Sequence, residues 1–151
     1  MKGDLTGGCL CGAVRYALRD GFRFRPYACH CTDCQTRTGG AFSEHMLFAK
    51  QDLDIEGDLD IGSYEQPSGA LSSIWGCPTC KVRIFAENDK RPGFASLRCG
   101  TRDRSHEVVP AAHLWVSSKQ AWVTLPDGVP ALAEQPRTQA EWIALVGPTP
   151  S

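Results

Sequence analysis

Apolar residues along this chain recur at alternate positions or in short runs, and only twice at helical spacing. Val14, Tyr16 and Leu18 alternate with Ala13, Arg15 and Ala17, directly after an expected Gly7-Gly8 turn, as a half-buried strand does. Further strands are expected over Met46–Ala49, Leu53–Glu56, Leu59–Tyr64, Leu71–Trp75, Val82–Phe85, Phe94–Arg98, His113–Val116 and Ala121–Leu125. Turn residues separate most of them, at Gly57-Asp58, Pro67-Ser68-Gly69, Asn88-Asp89 and Pro92-Gly93. Helix is expected in a short turn after Cys31 and from Pro136 to Val146, where Pro136 suits a first-turn position before Ala140, Trp142, Ile143 and Leu145. The pattern is mainly β, with many short strands and a proline-rich tail whose last few residues are expected to be loose.

Length and composition narrow the class. A chain of 151 residues suits one domain that buries roughly two-thirds of its unfolded surface. No repeat or low-complexity linker breaks it, so no boundary is drawn inside residues 5–136, and residues 137–151 read as a tail with a short helix. Hydrophobic residues at 42% and charged residues at 22% indicate a globular protein and neither disorder nor a membrane span. The formal net charge of −1 gives no general footprint for nucleic acid or anionic lipid. The first residues lack the apolar run of a secretory signal. A cytoplasmic location is therefore expected, where eight cysteines read as metal ligands or reactive thiols rather than as a disulfide framework.

The spacing of those cysteines is the chemical signal. They fall as Cys9-x-Cys11, Cys29-x-Cys31-x-x-Cys34, Cys77-x-x-Cys80 and a lone Cys99. If Cys9 and Cys11 lie on a strand, positions i and i+2 share a face and present two sulfurs together. Cys77-Pro78-Thr79-Cys80 is a tight-turn pair of the kind that grips zinc, and two such pairs make one closed four-thiolate site. Cys29, Cys31 and Cys34 can hold a second metal ion and leave its fourth position for water or substrate, as catalytic zinc sites do. The spacing also allows Cys29 to join the first cluster and His30 to act as a ligand. An iron–sulfur cluster is compatible with four thiolates but lacks its usual tight runs here. Cys99 reads as a small buried hydrophobe.

The run from Gly7 to Tyr16 (GGCLCGAVRY), followed by Cys29-His30-Cys31-Thr32-Asp33-Cys34-Gln35 and by Gly39–Phe42, resembles the glutathione-dependent formaldehyde-activating enzyme family, which includes the centromere protein V relatives. Trp75-Gly76-Cys77-Pro78-Thr79-Cys80, Gly100-Thr101, the stretch Pro110–Val116, Trp122 and Asp127-Gly128-Val129-Pro130 extend the resemblance over about residues 5–136. The resemblance implies a zinc-bound β-tent of packed antiparallel sheets. It implies a structural zinc on Cys9, Cys11, Cys77 and Cys80, and a second zinc on Cys29, Cys31 and Cys34 beside a glutathione site. The implied reaction joins glutathione to formaldehyde, giving S-hydroxymethylglutathione, the reverse of a carbon–sulfur lyase step. Two positions depart from the family pattern: Lys81 stands where glycine is usual, and Arg102 where leucine is usual.

An open site made only of cysteines favours holding a thiol over activating water, so thiol chemistry ranks above hydrolysis. Gln35 can hydrogen-bond a substrate carboxylate or a cysteine sulfur, or be a solvated loop amide. Arg37 and Arg83 are candidate anchors for the carboxylates of a glutathione-like ligand. His30 reads as an oriented histidine behind the ligands rather than a proton shuttle, and His113 as a satisfied core histidine. Trp75, Phe85, Trp115 and Trp122 are expected to fill the core. The expected partners are a small-molecule thiol and an aldehyde, with no nucleic acid and no membrane; a homo-oligomer is compatible with the sequence. The competing reading from another class is a zinc-stabilised β module that binds a partner and does no chemistry.

Overall fold

The structure is a computed structural model that describes residues 5–21 and 23–148. The last three residues, expected to be loose, lie outside the described residues. Ten strands and two helices are present among them, in chain order β1 (Leu5–Gly8), β2 (Arg15–Leu18), β3 (Tyr27–Cys29), α1 (Thr32–Thr38), β4 (Ser43–Ala49), β5 (Leu53–Glu56), β6 (Asp60–Glu65), β7 (Leu71–Gly76), β8 (Arg83–Asn88), β9 (Phe94–Arg98), β10 (His113–Leu114) and α2 (Gln139–Val146). The fold is mainly β, as the alternating pattern requires. No helix of the described residues is long and apolar enough to cross a membrane.

The chain clusters into two compact units. The first comprises the stretch up to position 22 and Leu47–Glu107; the second comprises Arg23–Met46 and the chain from Val108 onward. Each unit is built from two separated stretches, so no single cut in the chain divides them.

The first unit contains a three-stranded antiparallel sheet in the order β1-β2-β5, in register Gly7↔Tyr16 and Tyr16↔Ile55. It also contains the antiparallel run β6-β7-β8-β9. Val14, Tyr16, Leu18, Phe48, Ile84, Phe85, Leu97 and Cys99 are buried in this unit, and Phe85 meets Phe48 edge-on with ring centroids 6.4 Å apart. Cys99 is fully buried, as a small hydrophobe would be. The Gly7-Gly8 pair, expected as a turn, is instead the end of β1. Glycine is required there by packing: a Cβ on Gly7 would collide with the Thr101 carbonyl and the Tyr16 ring.

Tyr16 yields a pH prediction. Its phenol oxygen lies 2.9 Å from Thr101 Oγ1, and burial pushes the phenol up to about 12. An unfolded tyrosine ionises near pH 10. The folded state therefore keeps a proton that the unfolded state has lost, and stability present below about pH 10 falls as pH rises toward 12. Ultraviolet titration is expected to show a late phenol ionisation that accompanies unfolding and is absent from Tyr16→Phe. Titration of all three tyrosines as free phenols would contradict it.

In the second unit β3 pairs antiparallel with β4 and parallel with β10. Helix α2 packs here, with Val146 fully buried and Trp142 tilted on Tyr27 at 5.4 Å. Its C-terminal carbonyls are satisfied by Arg25, whose Nε donates to Gly147 O at 3.0 Å and whose Nη2 donates to Leu145 O at 2.9 Å. The helix begins at Gln139, three residues after Pro136, because Thr138 is the cap that accepts from Glu141 N.

Two strand expectations fail at one corner. β10 stops at Leu114 because Trp115 adopts a left-handed conformation, φ 58°, and turns the chain into a 3-10 helix over Val116–Ser118. Ala121–Leu125 is not a strand: Val123 N bonds back to Gln120 O at 3.0 Å, closing a turn. Val123 is the buried residue of that run, whereas Trp122 is 72% exposed, contrary to a core role, with its Nε1 donating to Gln120 Oε1 at 2.7 Å. Trp75 and Trp115 are half-buried; Phe85 is in the core as expected.

Candidate metal centres and active site

The first cysteine set is assembled from two loops in the first unit. Cys9 and Cys11 lie in a turn after β1, not on a strand. Cys9 N bonds Val14 O at 3.0 Å and Gly12, at φ 83°, closes the loop. The second loop repeats the construction: Cys77 N bonds Val82 O at 2.9 Å, and Lys81 N bonds Cys77 O at 3.0 Å. Gly76 precedes it at an irregularity in the β7–β8 register, where a Cβ would press on Val82 O at 2.6 Å.

The four sulfurs lie within 4.8 Å of one another. Cys9 Sγ to Cys11 Sγ and Cys11 Sγ to Cys77 Sγ are each 3.7 Å. A tetrahedral ion with bonds of about 2.3 Å to sulfur needs sulfurs about 3.8 Å apart, so the donors fit zinc. Backbone amides support the charge: Val14 N donates to Cys9 Sγ at 3.2 Å, and Thr79 N and Cys80 N donate to Cys77 Sγ at 3.4 Å each. The Cys80 thiol is lowered to about 6, first by the amide of Val82 and then by that of Cys11.

Lys81 has φ 64°, a backbone conformation that suits the glycine the resemblance leads one to expect here. A side chain there costs about 1 kcal/mol or more. Its ion pair with Asp60, 3.1 Å long between side chains 70% and 57% exposed, offsets little of that. Lys81→Gly is expected to raise the melting temperature of the zinc-loaded protein by a few degrees; a fall would show that Lys81 is held by more than this geometry. Arg102, the other departure, pairs its backbone with Gly7.

The second set lies in the second unit. Cys29 ends β3, Cys31 is the N-cap of α1, and Cys34 stands in its first turn. The Cys31 sulfur takes the place of a capping oxygen and accepts from Cys34 N at 3.3 Å. These three sulfurs also lie within 4.8 Å of one another, and three convergent thiols in so small a space are donors suited to zinc. Cys29 and Cys34 are buried, whereas Cys31 is partly open. The Cys31 thiol is driven strongly down by the thiols of Cys29 and Cys34, and that of Cys29 is pushed up by sharing with Cys31 and Cys34.

Behind these cysteines the scaffold is tightly bonded. His30 is fully buried, with Nε2 at 2.9 Å from His113 Nδ1 and N bonded to Leu114 O at 2.9 Å. Burial lowers both imidazoles, with His113 and Lys119 adding to the effect on His30, so the pair is neutral at pH 7. The two histidines, read separately in the sequence, hold each other in the core. Gln35 Nε2 donates to His30 O at 2.9 Å and to Ser118 O at 3.0 Å, and Ser118 Oγ donates to His30 O at 3.0 Å. Arg37 lies in the last turn of α1, while Arg83 belongs to β8 in the first unit. Spacing alone did not reveal His45: it is buried on β4 with Nε2 3.6 Å from Cys34 Sγ, and only the β3–β4 register places it there.

The family model for the glutathione-dependent formaldehyde-activating enzyme matches residues 4–118. No curated protein sequence matches the chain. Among solved structures, a crystal structure of a Rhodobacter sphaeroides protein is similar at 17% identity and a TM-score of 0.49, over 84% of this chain and 98% of that one. With three-quarters of its length matched, including all seven clustered cysteines, the chain belongs to the glutathione-dependent formaldehyde-activating enzyme family.

Proposed function

We propose that this protein joins a small thiol, glutathione in the first instance, to a small aldehyde such as formaldehyde, and runs the reverse carbon–sulfur lyase reaction. The observation that carries the reading is the three-sulfur set of Cys29, Cys31 and Cys34, buried except at Cys31, in a chain of this family. When bound there, zinc supplies a Lewis acid that keeps an incoming thiol in its reactive thiolate form. The chain's own residues do the rest. Cys31 at the open edge sets the direction of entry, and the amide of Gln35 holds the His30 backbone between the ligands. Arg37, at the end of α1, is the proposed anchor for a substrate carboxylate. In the reaction the thiol S–H bond breaks, a carbon–sulfur bond forms at the aldehyde carbon, and the proton ends on the former carbonyl oxygen.

Cys9, Cys11, Cys77 and Cys80 are the proposed structural zinc site, for a total of two ions. A reducing, cytoplasmic setting accords with eight free cysteines. Calorimetric titration of glutathione into protein of measured zinc content tests the reading. Binding is expected at two zincs per chain and not at one, followed by S-hydroxymethylglutathione formation when formaldehyde is added. Tight retention of both ions without thiol binding would overturn it in favour of a zinc-stabilised binding module.

A further inference from the structure

In the antiparallel β3–β4 register Tyr27 faces His45 and Cys29 faces Ser43. Tyr27, Cys29 and His45 therefore project from one face of the sheet, since paired residues share a face and alternate residues along a strand do so too. Tyr27 stacks on the His45 ring at 5.4 Å with planes 21° apart. His45 is 7% exposed and Cys34 is 4% exposed. Cys34 reaches the ring from the first turn of α1, with 3.6 Å between Sγ and Nε2. His45 Nε2 is not part of the group of sulfurs that lie within 4.8 Å of one another.

We propose that His45 is a positioning residue for the second metal site, donating its Nε2–H to the sulfur of Cys34. A cysteine that holds zinc is a thiolate with lone pairs only, so the proton of this contact belongs to the imidazole. The stack on Tyr27 fixes the ring plane, and the hydrogen bond then fixes the direction in which Cys34 presents its sulfur. Cys29 is set by a strand and Cys31 by a helix cap; Cys34 is the member whose orientation this bond completes. Partners of this kind are worth about 10–100-fold in metal affinity. The inference rests on zinc at this cluster and not on which thiol or aldehyde is used.

The test compares His45→Phe, which keeps a ring on Tyr27 without an N–H donor, with His45→Gln, which restores a donor. Chelator competition on full-length protein is expected to show the second zinc held about 10–100-fold more weakly in His45→Phe, with the first unchanged and His45→Gln recovering much of the loss. In cobalt-substituted protein the sulfur-to-metal charge-transfer band should move to lower energy in His45→Phe, because a thiolate freed of its hydrogen bond donates more readily, and return in His45→Gln. Unchanged affinity and spectrum in His45→Phe would overturn the proposal. Equal losses in both variants would also overturn it, by reducing His45 to packing. So would a cobalt spectrum showing nitrogen ligation by His45 in the wild type. If the wild type binds no thiol, the proposed reaction falls while these measurements still decide the role of His45.

Discussion

Replacing Cys77 by serine is expected to cost the protein its fold at 37 °C. Cys77 is buried, accepts two backbone amides at 3.4 Å each, and lies 3.7 Å from Cys11 Sγ across 66 residues of sequence. The four-sulfur site thereby joins the turn after β1 to the turn after β7. Structural zinc contributes about 10–16 kcal/mol in small domains, whereas whole domains are stable by only about 5–15 kcal/mol. Loss of one ligand that removes even about 5 kcal/mol lowers the melting temperature by about 10–20 °C in a chain of this size. Circular dichroism melts of zinc-loaded wild type and Cys77→Ser, with zinc counted before and after, check this. A variant that melts within a few degrees of the wild type while lacking this zinc would show that the two loops hold without metal.

Much of this site was legible in the sequence because thiolate pairs at two-residue and three-residue spacing leave few chemical alternatives. The sequence paired the Cys9 and Cys77 loops, though it explained the convergence of Cys9 and Cys11 by strand geometry. The sulfurs converge because Gly12 turns the loop, not because i and i+2 share a face. β5 and β9 appear at their expected bounds, Leu53–Glu56 and Phe94–Arg98, where alternation is bounded by turn residues. β3 was missed because three residues carry too little periodicity, and their pairing partners lie 14 or more residues away. The Ala121–Leu125 run has the composition of a strand, yet Lys119 Nζ bonds Val123 O at 3.1 Å and the chain turns there. His45 was hidden for a related reason: a histidine in an apolar run acquires meaning only from the register that sets it under Cys34.

Cys31→Ala is expected to separate function from fold. Its sulfur belongs to the second set, is partly open, and contributes one cap contact to a seven-residue helix, the amide of Cys34 at 3.3 Å. Loss of that cap costs about 1 kcal/mol, far less than loss of Cys77. The remaining pair, Cys29 and Cys34, is too few donors to retain zinc against a chelator. Thiol binding should therefore disappear and adduct formation fall more than about 100-fold, while one zinc per chain remains and the melting temperature drops by only a few degrees. Cys31→Ser keeps a capping oxygen at the helix start and should recover the melting temperature without recovering thiol binding, since an alcohol is a poor zinc ligand at neutral pH. The pair of variants assigns the effect to the sulfur rather than to the helix. Turnover that survives in Cys31→Ala at one zinc per chain would remove the three-cysteine set from the reaction and leave the four-cysteine site as the metal centre to be explained.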